Sequence, residues 1–451
     1  METLNFGLMG AVFIGITLLL VLILYFKIQA FLSLLIASIA IGLLAGMPPS
    51  QIVEVVKNGM GNTLGFVATV VGLGALFGAI LEQSGGATAI ANYLLKSFGE
   101  KNASWAMMLT GFIVAIPVFF DVAFIILIPL VYSLQKRTGK SLLFYGIPLL
   151  AGLAITHSFI PPTPGPIAVA DILGADLGWV ILFGAIVGFP AAILSGPLFG
   201  KYIAKKIKVG IPNFYEPTEM PAQLPPVRLI LGIISIPILL IVLNTVFSGD
   251  WGTSMGLSEQ FKSILGFLGH PFVALIIANL LAWGLLGLAS GYTKNQLLEI
   301  SSKSLAPAGV IILLTGAGGV LKQMLIETGA GEQLAQSLSG AVNSPLVFAF
   351  LVAAIVRVMQ GSATVAMITS AGMTASLIEG IALSPVQLSL LVIAVSAGAT
   401  IFSHVNDSGF WLVNRYFGLT EKQTLQSWSV MTTIISLSAF IFVCVVYVFF
   451  S

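Results

Sequence analysis

Apolar runs of near-spanning length recur from one end of the chain to the other, among them Gly10–Tyr25, Phe31–Gly46 and Leu229–Leu243. A bilayer core about 30 Å thick takes about 20 apolar residues per helical span. A chain of 451 residues that is 57% hydrophobic and only 8% charged cannot cover a water-soluble fold with polar groups. The fold class is therefore an all-α polytopic membrane protein. The alternating segments of about ten residues that build membrane barrels do not occur. The first run lacks a basic leader and a small-residue cleavage site, so it is expected to stay as a helix. Cys444 is the only cysteine, which excludes an intramolecular disulfide and a cysteine metal cluster. No metal, cofactor or nucleic-acid partner is expected; the lipid bilayer is the obligatory one.

Ten crossings and two re-entrant hairpins can be traced, and the basic residues orient them. With both termini outside, 15 of the 19 basic residues fall inside, including Lys96, Lys101, Lys136, Arg137, Lys140, Lys201, Lys205, Lys206, Lys208 and Lys294. Lys57 and Lys262 lie outside, and Lys322 and Arg357 within membrane segments. The proline-rich segment 206–226 reads as a cytoplasmic linker between halves 1–205 and 227–451. Five crossings per half is an odd number, so two halves of like fold must be inverted relative to each other.

An internal repeat supports this division. A shift of 245 positions puts Gly319 on Gly74, Glu327 on Glu82 and Gly331 on Gly86. A shift of 240 aligns Ile113–Ile128 with Ala353–Ile368, and one of 244 puts Gly409 on Gly165 and Gly418 on Gly174.

Four interruptions fall inside apolar segments. The hairpin 104–134 breaks at Pro117 to Asp121, and its counterpart 345–375 at Gln360-Gly361-Ser362-Ala363-Thr364. The helix 142–171 is cut between His157 and Pro166 by four prolines, and the helix 388–417 between Ser403 and Gly409. Backbone that is not helical at membrane depth must be buried in protein or line a wet cavity, because lipid cannot satisfy its polar groups. Broken helices also aim positive N-terminal ends at anionic groups. The breaks thus define the candidate binding set: Phe120, Asp121, Thr163, Gly165, Arg357, Gln360, Gly361, Ser362, Thr364, Asn406, Asp407 and Ser408. Its hydroxyls and amides suit a small polyol or hydroxy acid.

Each charged candidate has two readings. Asp121 and Asp407 are proton-coupling groups or local caps. Arg357 forks onto a substrate carboxylate or pairs with one of those aspartates. His157 and His404 are packing residues or proton relays. Glu82 and Glu327 occupy matched positions near span ends, where capping is the simpler role. The stretch Gly72-Leu73-Gly74-Ala75-Leu76-Phe77-Gly78 lacks a preceding strand and a P-loop lysine, so it reads as a close-packing surface. An ion channel would also use re-entrant hairpins, but it does not need two matched, opposed ones. A membrane enzyme has no His-Glu-x-x-His motif here and no serine-plus-base constellation.

At these breaks the sequence resembles the gluconate permease family of the ion transporter superfamily. The resemblance rests on Phe119-Phe120-Asp121-Val122-Ala123-Phe124, on His157-Ser158-Phe159-Ile160-Pro161-Pro162-Thr163-Pro164-Gly165-Pro166, and on Ser403-His404-Val405-Asn406-Asp407-Ser408-Gly409-Phe410-Trp411. It implies proton-coupled uptake of gluconate or a related sugar acid across a bacterial inner membrane, by a homodimer whose transport part moves like an elevator against a scaffold. Relatives that carry D-serine or other hydroxy acids are the alternative. Sodium-coupled dicarboxylate relatives would carry Ser-Asn-Thr at the hairpin tips, whereas the tips here read Phe119-Phe120-Asp121 and Gly361-Ser362-Ala363.

Overall fold

The computed structural model describes residues 6–212, 224–248, 257–329, 344–405 and 407–450. Among them all regular structure is helical. The first part runs α1 (Phe6–Leu24), α2 (Ala30–Leu44), α3 (Pro49–Gln83), α4 (Gly86–Phe98), α5 (Ala103–Val114), α6 (Phe120–Thr138), α7 (Leu143–Phe159), α8 (Pro164–Leu173) and α9 (Leu177–Lys206), the last passing through a π-turn. After the undescribed part of the linker come α10 (Val227–Ser248), α11 (Glu259–Leu268), α12 (Pro271–Ser290) and α13 (Lys294–Glu327). The chain closes with α14 (Pro345–Gln360), α15 (Ala363–Leu377), α16 (Pro385–Thr400), α17 (Ser408–Phe417) and α18 (Glu421–Val448). Among the described residues seven spans are long and apolar enough to cross a membrane, six of them single helices and the seventh made of α7 and α8 together, and several shorter apolar helices pack among them.

Local chemistry sets the helix starts. Proline opens α3, α8, α12, α14 and α16, where its missing N–H costs nothing. Capping boxes open α13 (Thr293 with Gln296), α16 (Ser384 with Gln387) and α18 (Thr420 with Gln423).

The same order of a long helix, two shorter helices at the place of an expected hairpin, and a broken helix occurs twice. Pro49 and Lys294 begin the long helices, Phe120 and Ala363 the second arms of the hairpins, and Pro164 and Ser408 the second pieces of the broken helices. These starts are separated by 245, 243 and 244 positions. At the hairpins this corrects the 240 read from their apolar flanks, which are too uniform to hold a register; only the break marks it.

The long helices α3 and α13 lie directly against each other. A methyl group on Gly59 would stand 2.8 Å from the Gly319 carbonyl oxygen, and one on Gly319 2.7 Å from that of Gly59. Only glycines let two helix backbones come this close. Hairpin arm α5 packs on α7 and hairpin arm α14 on α16, so each hairpin is seated on the broken helix that follows it. These pairs place the four breaks within reach of one another.

The breaks are narrower than the sequence pattern suggests. His157 belongs to the last turn of α7, which ends at Phe159, and Asp121 to the first turn of α6. Residues 401–407 separate α16 from α17. There Phe402 holds a left-handed backbone (φ 41°), an uncommon conformation for a side chain of that size.

Candidate functional site

The backbone at each break leaves helix N–H groups without intrahelical acceptors. Helix α6 begins after Phe119, whose extended backbone (ψ 146°) supplies no side-chain cap. Helix α15 is capped by Ser362, whose hydroxyl accepts from Val365 N at 3.3 Å. Helix α17 is capped by Asp407, which accepts from Gly409 N at 3.1 Å. The first residues of all three helices line one cavity of about 580 Å³. Its walls come from both parts of the chain: Phe119 to Val122, Ala154, His157 and Ser158 on one side, and Pro307, Ile311 and residues between Arg357 and Thr432 on the other.

Three helix N-termini aimed at one volume create a positive potential, each equivalent to roughly half an elementary charge. Arg357 stands at the same wall, only 4% exposed and with its charge met by Asp407. Its guanidinium donates to Asp407 Oδ2 at 2.5 Å and to the Gly361 carbonyl oxygen. Of the pairings open to it, the structure therefore selects Asp407. Gly361 closes α14 with φ 90°, a left-handed conformation that glycine adopts without strain. That turn aims its carbonyl back at Arg357, so one side chain ties the second hairpin tip to the second broken helix.

Asp407 is held further by its own neighbours. Ser403 donates its hydroxyl to Asp407 Oδ2, and Trp428 Nε1 donates to Ser403 Oγ at 2.6 Å. The Trp428 ring stands 5.6 Å from that of Phe120, which joins this network to the first hairpin tip. Asp407 is thus a cap and an ion-pair partner. Asp121, by contrast, is solvent-accessible within the cavity, and no ion pair to it occurs among the described residues.

Of the residues expected from sequence, Phe120, Asp121, His157, Arg357, Gln360, Gly361, Ser362, Thr364, Asp407 and Ser408 line the cavity together. Three do not. Thr163 is buried and donates its hydroxyl to the Ile160 carbonyl at 2.6 Å, which also accepts from Thr163 N at 3.4 Å. Gly165 packs against Met367 at the α8–α15 contact. His404 bonds the Val358 carbonyl at 2.8 Å and fastens the break to α14. Asn406 lies outside the described residues. His157 lines the cavity with its ring 6.4 and 6.5 Å from those of Phe119 and Phe120, and its buried Nδ1 has no hydrogen-bond partner among the described residues.

Sequence reasoning passed over Thr400, Trp428, Thr432, Pro307 and Ile311, which complete the walls. Only two of them carry a local signal: Trp428 sits between Ser427 and Ser429, and Pro307 interrupts an otherwise regular span. The glycine-rich stretch on α3 is a close-packing surface, as expected. A methyl group on Gly78 would overlap the Pro117 carbonyl oxygen of the first hairpin tip, and one on Gly74 would lie 3.3 Å from the Pro162 oxygen in the first broken helix.

Comparison with known proteins places this architecture. Residues 8–449 match the GntP family permease family. The chain is 41% identical over 432 residues to a gluconate permease of Pseudomonas aeruginosa, covering 94% of each chain. It is 39% identical over 422 residues to the low-affinity gluconate transporter of Escherichia coli (93% of this chain, 94% of that one). It is 36% identical over 428 residues to the Gnt-II system L-idonate transporter of the same organism (94% and 95%). Among solved structures the YdaH transporter of Alcanivorax borkumensis shares the fold, with a TM-score of 0.65 at 15% identity over 89% of this chain and 90% of that one. Apolar helices of spanning length and a family match along nearly the whole chain make this protein a multi-pass membrane permease of the GntP family, and not an enzyme.

Proposed function

We propose that this permease is a proton symporter that takes up gluconate or a closely related sugar acid across a bacterial inner membrane. The observation that carries the reading is the convergence of three helix N-termini on one cavity beside Arg357. A carboxylate is favoured at such ends by about 0.3–1 kcal/mol each at exposed sites and more where water is excluded. Ser362, Thr364, Gln360 and Ser408 then offer hydroxyl and amide partners to the polyol chain. The relatives named for gluconate and L-idonate support a sugar acid as the cargo.

In this reading Asp121 is the coupling group. It is the accessible carboxylate of the cavity, whereas Asp407 is committed to Arg357, Ser403 and the α17 cap. Asp121 is neutral when the substrate anion is bound and ionised after the proton leaves inside. The repeated order of elements supports two inverted repeats, 1–205 and 227–451. With them goes an elevator-like motion of the hairpins and broken helices against the rest, within a homodimer whose termini lie outside the cytoplasm.

Uptake of labelled gluconate into sodium-free vesicles with an imposed pH gradient, acid outside, tests the reading. Accumulation above the equilibrium level is expected. Accumulation only when a sodium gradient is supplied overturns proton coupling, and no uptake under either gradient overturns gluconate as the substrate.

A further inference from the structure

A second cavity of about 430 Å³ adjoins the first and is not used in the reading above. The two share three residues, Phe119, Val122 and Pro307, and these side chains form the partition between them. Beyond the partition the second cavity runs between the first hairpin tip and the long helices α3 and α13, out to Gln83 and Tyr292 at their ends. Those ends lie on the face carrying Lys96, Lys101 and Lys294, which the basic-residue bias assigns to the cytoplasm.

The walls of this second cavity are polar for a membrane segment. Glu82 is half-buried, and Gln296, Glu299 and Lys303 line the outer part, the last two as an ion pair at 2.7 Å. Pro307 has no N–H, so the Lys303 carbonyl lacks its i+4 helical donor and needs another partner. Side chains and backbone of this kind at membrane depth are tolerated where they meet water. Two adjoining cavities with polar walls are therefore separated by the side chains of Phe119, Val122 and Pro307. This partition is apolar, and it sits on the hairpin tip whose next residues line the candidate site.

We infer that the second cavity is the intracellular leg of the substrate path, and that Phe119, closing against Pro307 with Val122 beside it, is its inner gate. The assignment rests on the sugar-acid reading for the identity of the cargo but not for the existence of the path. Phe119 is the extended cap residue of α6, bound to the helix only through its carbonyl, which accepts from Ala123 N at 2.9 Å, so its side chain can turn without breaking a helical hydrogen bond. When it moves, the cavity at the three N-termini becomes continuous with the Glu82 cavity, and a hydrated sugar acid leaves between α3 and α13.

The chain has a single cysteine, so Cys444→Ser gives a background for site-directed labelling. In that background Ala79→Cys, which lines only the second cavity, is expected to react with a membrane-impermeant maleimide in inside-out vesicles and at least tenfold more slowly in right-side-out ones. Saturating gluconate is expected to slow the reaction at least threefold. Phe119→Trp, which enlarges the side chain shared by both cavities, is expected to lower the exchange rate at least tenfold while Ala79→Cys, combined with it, still labels from the inside. Labelling only from the outer face, or wild-type exchange in Phe119→Trp, overturns the gate and the path. If the wild-type protein binds no gluconate at all, the sugar-acid reading fails; sided labelling of Ala79→Cys still decides the path, including where the tryptophan variant does not reach the membrane.

Discussion

Arg357 donates to Asp407 across a sequence separation of 50 residues, and the same guanidinium holds the Gly361 carbonyl at the tip of its own hairpin. The pair is almost wholly removed from water, with side chains 4% and 14% exposed. Taking one partner away strands the other charge, which costs about 3–5 kcal/mol, whereas replacing both by apolar groups is often neutral. Arg357→Met and Asp407→Leu should each lower the melting temperature of the purified protein sharply, and the double variant should recover much of the loss. A double variant as unstable as the sum of the singles would show that the pair does not act as a unit. Arg357→Lys keeps the charge but loses the planar fork that reaches both acceptors, so its transport should fall at least tenfold.

Asp121 should separate coupling from carriage. Asp121→Asn removes the titrating group while leaving the first turn of α6 in place. Accumulation driven by a pH gradient should vanish, and exchange of labelled for unlabelled substrate should remain measurable. Full accumulation by this variant would take Asp121 out of the coupling step without touching the permease assignment.

Packing of α3 against the first hairpin tip predicts a steep dependence on volume. Gly78→Ala places a methyl group on the Pro117 carbonyl oxygen, so α3 and the tip must separate, at a cost of about 1–3 kcal/mol. Transport should fall at least tenfold. Gly61→Ala, on the same helix but with no atom within 4 Å of the added carbon, should be neutral or slightly stabilising, because alanine is the better helix former. Equal effects of the two substitutions would contradict the contact.

Thr163 and Thr364 should behave differently although both are threonines at helix breaks. Thr163→Val removes the hydroxyl that bonds the Ile160 carbonyl, so stability should drop by about 1 kcal/mol and apparent substrate affinity should change less than threefold. Thr364→Val removes a hydroxyl at the cavity wall and should weaken apparent affinity about tenfold with little change in melting temperature. Concentration dependence of uptake together with thermal melting separates the two cases.

Much of this permease was legible in one dimension because membranes simplify the code. Apolar length and charge scarcity give helices, since a lipid environment admits few other ways to satisfy a backbone. Proline and glycine clusters mark where those helices stop, and the offsets between Pro49 and Lys294 and between Pro164 and Ser408 differ by only one position. The places of the breaks were legible too, and ten of the fourteen candidate residues line one cavity.

What the linear pattern left open was direction and partnership. Thr163 and Thr364 have the same hydroxyl, but only the fold shows that one bonds the backbone carbonyl of Ile160 and the other faces a cavity. Arg357 had two carboxylates to choose from, and the seating of α14 on α16 decided for Asp407. Trp428 and Thr432 belong to a span that reads as ordinary sequence, and they reach the site only because α18 packs against α16. By itself the sequence determined a polytopic helical membrane chain, its breaks and the residue types at them, because propensity and hydropathy are local. Tertiary structure alone decided which broken ends share a cavity and which charges neutralise each other, because those outcomes depend on helix packing between residues far apart in the chain.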